Sequence, residues 1–158
     1  MPLQAQTTAV TAPSAVANPV KGTPQVKRAA GTFEVKLAPL DAYNKTEGAN
    51  AGRMSLDKVF KGDLEATAKG EMLTGGTEVK GSAAYVAIER VTGTLNGRAG
   101  SFALHHTGVM NRGAPSLSIS VVPDSGTGQL VGISGKMNII IAGGKHSYEF
   151  DYAIADAP

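Results

Sequence analysis

The sequence predicts an all-β domain: an eight-stranded antiparallel up-and-down β-barrel preceded by a flexible N-terminal arm. Three observations carry this. From Gly31 onward, apolar and polar residues alternate in eight short runs. Tight turn signals separate the runs, above all Gly62–Asp63, Asn96–Gly97 and Gly143–Gly144. Nowhere does a helical apolar period persist for three turns. Consecutive strands joined by short links favour an up-and-down barrel over a sandwich, and closure leaves no sheet edge exposed.

Residues 1–30 form the arm. They are rich in Ala, Thr, Pro and Val, hold four prolines and have no aromatic residue, so little there can drive burial. The segment lacks the basic and apolar regions of a signal peptide, which makes a cytoplasmic location the expectation. LQAQTT is open to a second reading as a cleavage remnant. In that case Met1 lies inside a longer precursor and the protein is periplasmic or secreted.

The barrel domain spans residues 31–158. GTFEVKLA (31–38) is the first strand, and a loop with Pro, Gly and Asn runs from it to about Gly52. RMSLDKVFK (53–61) and DLEATAKGEML (63–73) follow as a hairpin about Gly62–Asp63. KGSAAYVAIERVTGTL (80–95) and RAGSFALHHTGVM (98–110) flank Asn96–Gly97. PSLSISVV (115–122) leads into a PDSGTG turn. QLVGISGKMNIII (129–141) and HSYEFDYAIA (146–155) then close the chain about Gly143–Gly144.

Composition excludes several function classes. There is no cysteine, so disulfides, thiolate metal sites and a Cys nucleophile are absent. No apolar run reaches the ~20 residues of a membrane-spanning helix, and no membrane partner is expected. The arm holds Lys21, Lys27 and Arg28 and no acid; the other twelve basic and thirteen acidic residues leave the barrel one charge negative. A near-neutral barrel argues against nucleic-acid binding. No phosphate-binding loop, dinucleotide fingerprint or G-x-S-x-G elbow is present, and no cofactor is expected.

The Asn96–Gly97 hairpin carries the most informative residues. A type I′ turn there sets Val91 opposite Phe102, Glu89 opposite Leu104 and Ala87 opposite His106. Alternation then gathers Tyr85, Ala87, Glu89, Val91, Phe102, Leu104 and His106 on one face, the bulkier and more aromatic, which is assigned to the interior. Glu89 and His106 become diagonal neighbours, ~7–8 Å apart at Cα, within bridging reach of long side chains. Arg90 and His105 point outward.

The last hairpin pairs Ile141 with His146, Ile139 with Tyr148 and Met137 with Phe150, and sends His146, Tyr148, Phe150 and Tyr152 inward. Lys136 and Asp151 are left as an outer ion pair. Glu65 is a weaker inward candidate.

VFKGDLEA (59–66), YVAIERVTGTLNGRAGSFALHHTG (85–108), VVPDSGTGQLVGISG (121–135) and HSYEFDY (146–152) together resemble a bacterial domain-of-unknown-function family. Its solved members are small barrels similar in fold to allene oxide cyclase and dirigent proteins. The likeness covers about residues 30–154. It implies an allene oxide cyclase-like barrel and self-association as a homo-oligomer, and it implies no established reaction. Asp124 stands where that family often has Gly, and His105 where Gln is expected.

Glu89 and His106 are the candidate catalytic pair, since a carboxylate can hold an imidazole in one tautomer for acid–base work. The plainer alternative is a satisfied buried pair that fixes register. Tyr85, Phe102, His146, Tyr148 and Tyr152 are candidate ligand-binding residues, weighed against ordinary aromatic core. His105 and His106 are adjacent on a strand, point to opposite faces and cannot share a metal ion. A site from Glu89, His106 and His146 would depend on distances across the barrel, and no metal is expected. Asp124-Ser125-Gly126-Thr127 has the form of an aspartic peptidase loop, but reads more simply as a hairpin turn.

The function expected is binding of a small apolar molecule inside the barrel, with cofactor-free isomerisation or cyclisation as its catalytic extension. The alternative is a non-catalytic, structural or oligomeric barrel with a packed interior. Ala87, Gly132 and Gly135 favour internal room.

Overall fold

The computed structural model describes residues 22–156. The arm expected over residues 1–30 therefore lies mostly outside the described residues. Eight strands follow in order: β1 (Lys27–Leu40), β2 (Ala51–Gly62), β3 (Leu64–Gly76), β4 (Ala83–Leu95), β5 (Arg98–Asn111), β6 (Ala114–Val121), β7 (Ile133–Ala142) and β8 (Lys145–Ile154). Each pairs antiparallel with the next, and β8 returns to β1, closing the barrel. No helix among the described residues is long and apolar enough to cross a membrane.

β1 begins at Lys27, four residues before the expected boundary. Ala29 is fully buried, and the Arg28 guanidinium donates to both carboxylate oxygens of Asp151 at 2.7 and 2.8 Å. Lys136 and Asp151 do sit opposite each other, yet Asp151 is held by Arg28 rather than by Lys136. At the other boundary, the stretch expected to open β7 at Gln129 instead makes a short 3-10 turn over Gly128–Leu130 that buries Leu130.

Both hairpin registers match the expectation. Asn96 and Gly97 have φ of 45° and 81°, the positive values that a type I′ turn requires. Val91 then faces Phe102 and Ala87 faces His106, while Ile141 faces His146 and Met137 faces Phe150.

The two ends of the barrel differ. At the closed end, where Gly62–Asp63, Asn96–Gly97 and the 3-10 turn lie, Leu64, Leu95, Phe102, Leu130, Phe150 and Tyr152 fill the interior. Phe102 stacks on Phe150 and Phe150 on Tyr152, with ring centroids 5.6 and 5.4 Å apart. Side chains stitch this end shut: Asn96 Nδ2 donates to Tyr152 Oη at 2.7 Å, and the Leu64 amide donates to Tyr148 Oη at 2.9 Å. Gly135 adds no room, because a Cβ there would meet the Phe150 ring; Gly132 lies in the turn against Ala155.

At the open end, inward positions are apolar but not enclosed. Leu37, Met110, Leu117 and Ile141 are all exposed. The wall is also parted there, since β6 and β7 share a single paired position, Ser120 with Lys136. Beyond it, Ala114–Ile119 pair only with β5, and Met137–Ala142 only with β8.

Candidate functional site

Between the two ends lies a buried polar cluster. Glu89 comes from β4, facing Gly70 of β3 and Leu104 of β5. A Cβ at Gly70 would collide with Glu89 Cα and Cβ, so the glycine makes the space in which this side chain turns inward. Glu89 is 0% exposed. Its Oε1 accepts from His106 Nε2 at 2.8 Å, which realises the predicted pair.

The same Oε1 accepts from Lys58 Nζ at 2.7 Å. Lys58 comes from β2, is itself buried, and was not among the predicted site residues. Its ammonium lies 5.2 Å from the Phe33 ring centroid and 5.7 Å from that of Phe60, so aromatic faces replace much of its lost hydration. The signal for it was available: Leu56, Lys58 and Phe60 alternate, which puts Lys58 on the face of two large apolar residues. A lysine is ordinarily read as surface, and only tertiary pairing shows otherwise.

Burial is the largest single influence on Glu89 and pushes its carboxyl up. The hydrogen bond from His106 and the charge and hydrogen bond of Lys58 together outweigh it, and the group lies below its ordinary 4.5. Glu89 is thus an ion at neutral pH, so His106 Nε2 is the nitrogen that donates to it, and in the neutral imidazole Nδ1 carries the lone pair. Nδ1 has no hydrogen-bond partner among the described residues. Glu89 Oε2 has none either and is sealed from solvent.

Tyr85 stands between this cluster and the open end. It faces Gly108 directly, and a Cβ at Gly108 would run into the tyrosine ring, so Tyr85 lies flat across β5. Its ring centroid is 6.4 Å from that of His106. Burial, and then the charge of Glu89, push its hydroxyl up. On the outer side of Tyr85 an apolar hollow of about 440 Å³ opens, lined by Met72, Tyr85, Met110, Leu117 and Ile141 among others. Its lining comes from β3, β4, β5 and β6, with Ile141 from β7, so the hollow lies at the open mouth beside the parting, and His106 does not line it.

The remaining predicted residues separate into two groups. His146 is half-buried near the open end, its ring 5.2 Å from that of Phe33. It borders a larger hollow of about 550 Å³, which is built largely from outer-wall residues such as Glu34, Val59 and Lys61 and is not lined by Glu89 or His106. Phe102, Tyr148 and Tyr152 belong to the packed end and line neither hollow. The Tyr148 hydroxyl donates to the Lys61 carbonyl at 3.2 Å, and Tyr152 accepts from Asn96. Burial pushes the Tyr148 hydroxyl up.

Glu65 points outward, accepting from the Gly62 amide and from Lys61. Asp124 sits exposed at a turn with φ of 60°; the next residue, Ser125, binds the Val122 carbonyl and the Ala103 amide. Among the described residues, no three His, Asp or Glu side chains gather as a metal-binding group.

Comparison with known proteins agrees with this architecture. A family described as protein of unknown function, DUF3224, matches residues 29–152. A crystal structure of a protein with unknown function from the DUF3224 family, from Shewanella oneidensis MR-1, is similar over 84% of this chain and 100% of that one. The two share 51% sequence identity, with a TM-score of 0.80. No curated protein matches.

Proposed function

This chain belongs to the DUF3224 family of proteins of unknown function, and from that premise we propose that it binds a small apolar molecule at the open end of its barrel. The observation that carries this is the apolar hollow at the open mouth, lined by Tyr85, whose ring lies 6.4 Å from that of His106 in a buried Lys58–Glu89–His106 cluster. A concave apolar site with few convergent polar groups is the usual form of a small-molecule site. Burying three titratable groups also brings a desolvation cost that a purely structural core would avoid with aliphatic residues.

The reading extends to cofactor-free proton transfer, of the kind an isomerase or cyclase performs. His106 Nδ1 is the base. Glu89, sealed from any ligand, is a positioning residue that holds the imidazole tautomer. Lys58 keeps Glu89 ionised, and Tyr85 orients the ligand. The likeness to allene oxide cyclase barrels belongs to this proposal, on fold-level analogy. Self-association belongs to it too, supported by the exposed Leu73, Val86 and Ile88 on the outer wall of β3 and β4.

Native mass spectrometry of gently purified protein tests the binding. The expected spectrum shows an extra non-covalent mass that disappears on denaturation, and that is reduced when Leu117→Trp fills the hollow. A bare protein mass, together with no thermal shift on adding apolar probes, would instead support a packed structural barrel.

A further inference from the structure

Resting on that reading, we infer that the ligand carries a hydroxyl group on an uncharged apolar body, and that His106 and Tyr85 together receive that hydroxyl. The argument is an inventory of unused hydrogen-bonding capacity around the cluster. Lys58 directs its ammonium at Glu89 Oε1 and at the faces of Phe33 and Phe60, so it offers little to a newcomer. Glu89 Oε1 is already shared by two donors, and Oε2 is sealed. His106 Nε2 is committed to Glu89.

Two groups remain. In the neutral imidazole His106 Nδ1 is an acceptor, and neither it nor the Tyr85 hydroxyl has a hydrogen bond among the described residues. Tyr85 lines the hollow, as does Gly108. His106 is the next inward position on β5 after Gly108, about 7 Å deeper by the strand repeat. A ligand entering the hollow from the open end therefore meets Tyr85 first and reaches His106 only by passing deeper along β5, with no other open polar side chain of the cluster between them.

A hydroxyl satisfies both groups at once: it donates to Nδ1 and accepts from Tyr85 Oη. A ketone or an ether can accept from Tyr85 but leaves Nδ1 unmatched. A carboxylate does no better at Nδ1, and finds no net positive charge to offset its desolvation, because Lys58 and Glu89 cancel. The body of the ligand is apolar because the walls are: Met72, Met110, Leu117 and Ile141 give it methylenes and thioethers to pack on.

Isothermal titration of the full-length chain with 1-octanol, its methyl ether and octanoate tests this class, with melting temperatures recorded alongside. Octanol is expected to bind roughly tenfold more tightly than either analogue, the scale of one well-made buried hydrogen bond. Tyr85→Phe removes a hydroxyl with no partner in the fold, so the variant should fold normally and lose part of that preference. His106→Phe should lose most of it.

Equal affinity for octanol and its ether would overturn the inference and leave the binding reading standing. So would octanoate binding most tightly, which would make Lys58 the receiving group. A preference untouched by Tyr85→Phe overturns the assignment of the receiving groups. No binding by any of the three, with no retained mass in the native spectrum, overturns the binding reading and the ligand class together.

Discussion

Lys58, Glu89 and His106 hold their geometry only as a set, because each one deleted leaves a buried charge or donor without its partner. Glu89→Gln should therefore cost about 3–5 kcal/mol, and Lys58→Met a similar amount. The double variant should cost less than the sum, since it removes the charge pair together. Denaturant unfolding of the four proteins measures this coupling, and strict additivity would mean the ion pair seen here does not exist in solution. The pH dependence follows from the same group. Glu89 is held below its ordinary value, so its contribution is complete above about 4.5 and is lost as pH falls through the lower folded value. The stability gap between wild type and Glu89→Gln should shrink on acidification below 4.5. A gap constant from pH 7 to 3 would place the carboxylate outside the cluster.

At the scale of elements, the barrel is unevenly sewn. β2 to β5 pair along nearly their whole lengths, whereas β6 and β7 meet at Ser120 and Lys136 alone. Backbone groups facing the parting have no strand partner, and such edges open at lower free energy than paired ladders. Amide hydrogen exchange should be fastest, among the strands, in Ala114–Ile119 of β6 and Met137–Ala142 of β7, and slowest in β4 and β5. Uniform protection around the barrel would show that β6 and β7 are not parted in solution. Gly108 and Tyr85 form the second element-scale device. Gly108→Ala forces the ring off β5 and should cost about 1–3 kcal/mol as overpacking does, while loosening the screen over His106. A variant as stable as wild type would show that Tyr85 does not lie across the strand.

For the whole molecule, one end is solid and the other open, the polarity that the proposed binding at the open end requires. The same native mass spectrum that reports a retained ligand reports the subunit number. More than one 16.1 kDa chain per particle is expected, with Ile88→Lys reducing it. A particle of one chain in wild type would remove the outer wall of β3 and β4 from the proposal.

Strand number, order and the two hairpin registers were legible in the sequence, because side-chain alternation and the positive-φ demand of Asn96–Gly97 are local properties of the chain. Glu89 and His106 were legible for the same reason, as diagonal neighbours across one turn. Lys58 was not, although its alternation with Leu56 and Phe60 hinted at it: it meets Glu89 only because β2 and β4 face the same interior across the curved wall, 31 residues apart in the chain. The early start of β1 was hidden likewise, since Arg28 finds Asp151 only when the first and last strands close the barrel. Nor could composition separate Tyr85 at the hollow from Tyr148 and Tyr152 in the core. Local backbone preference decides which face a residue takes. Which residues share that face's depth, and how much space they leave, is decided by closure of the whole sheet.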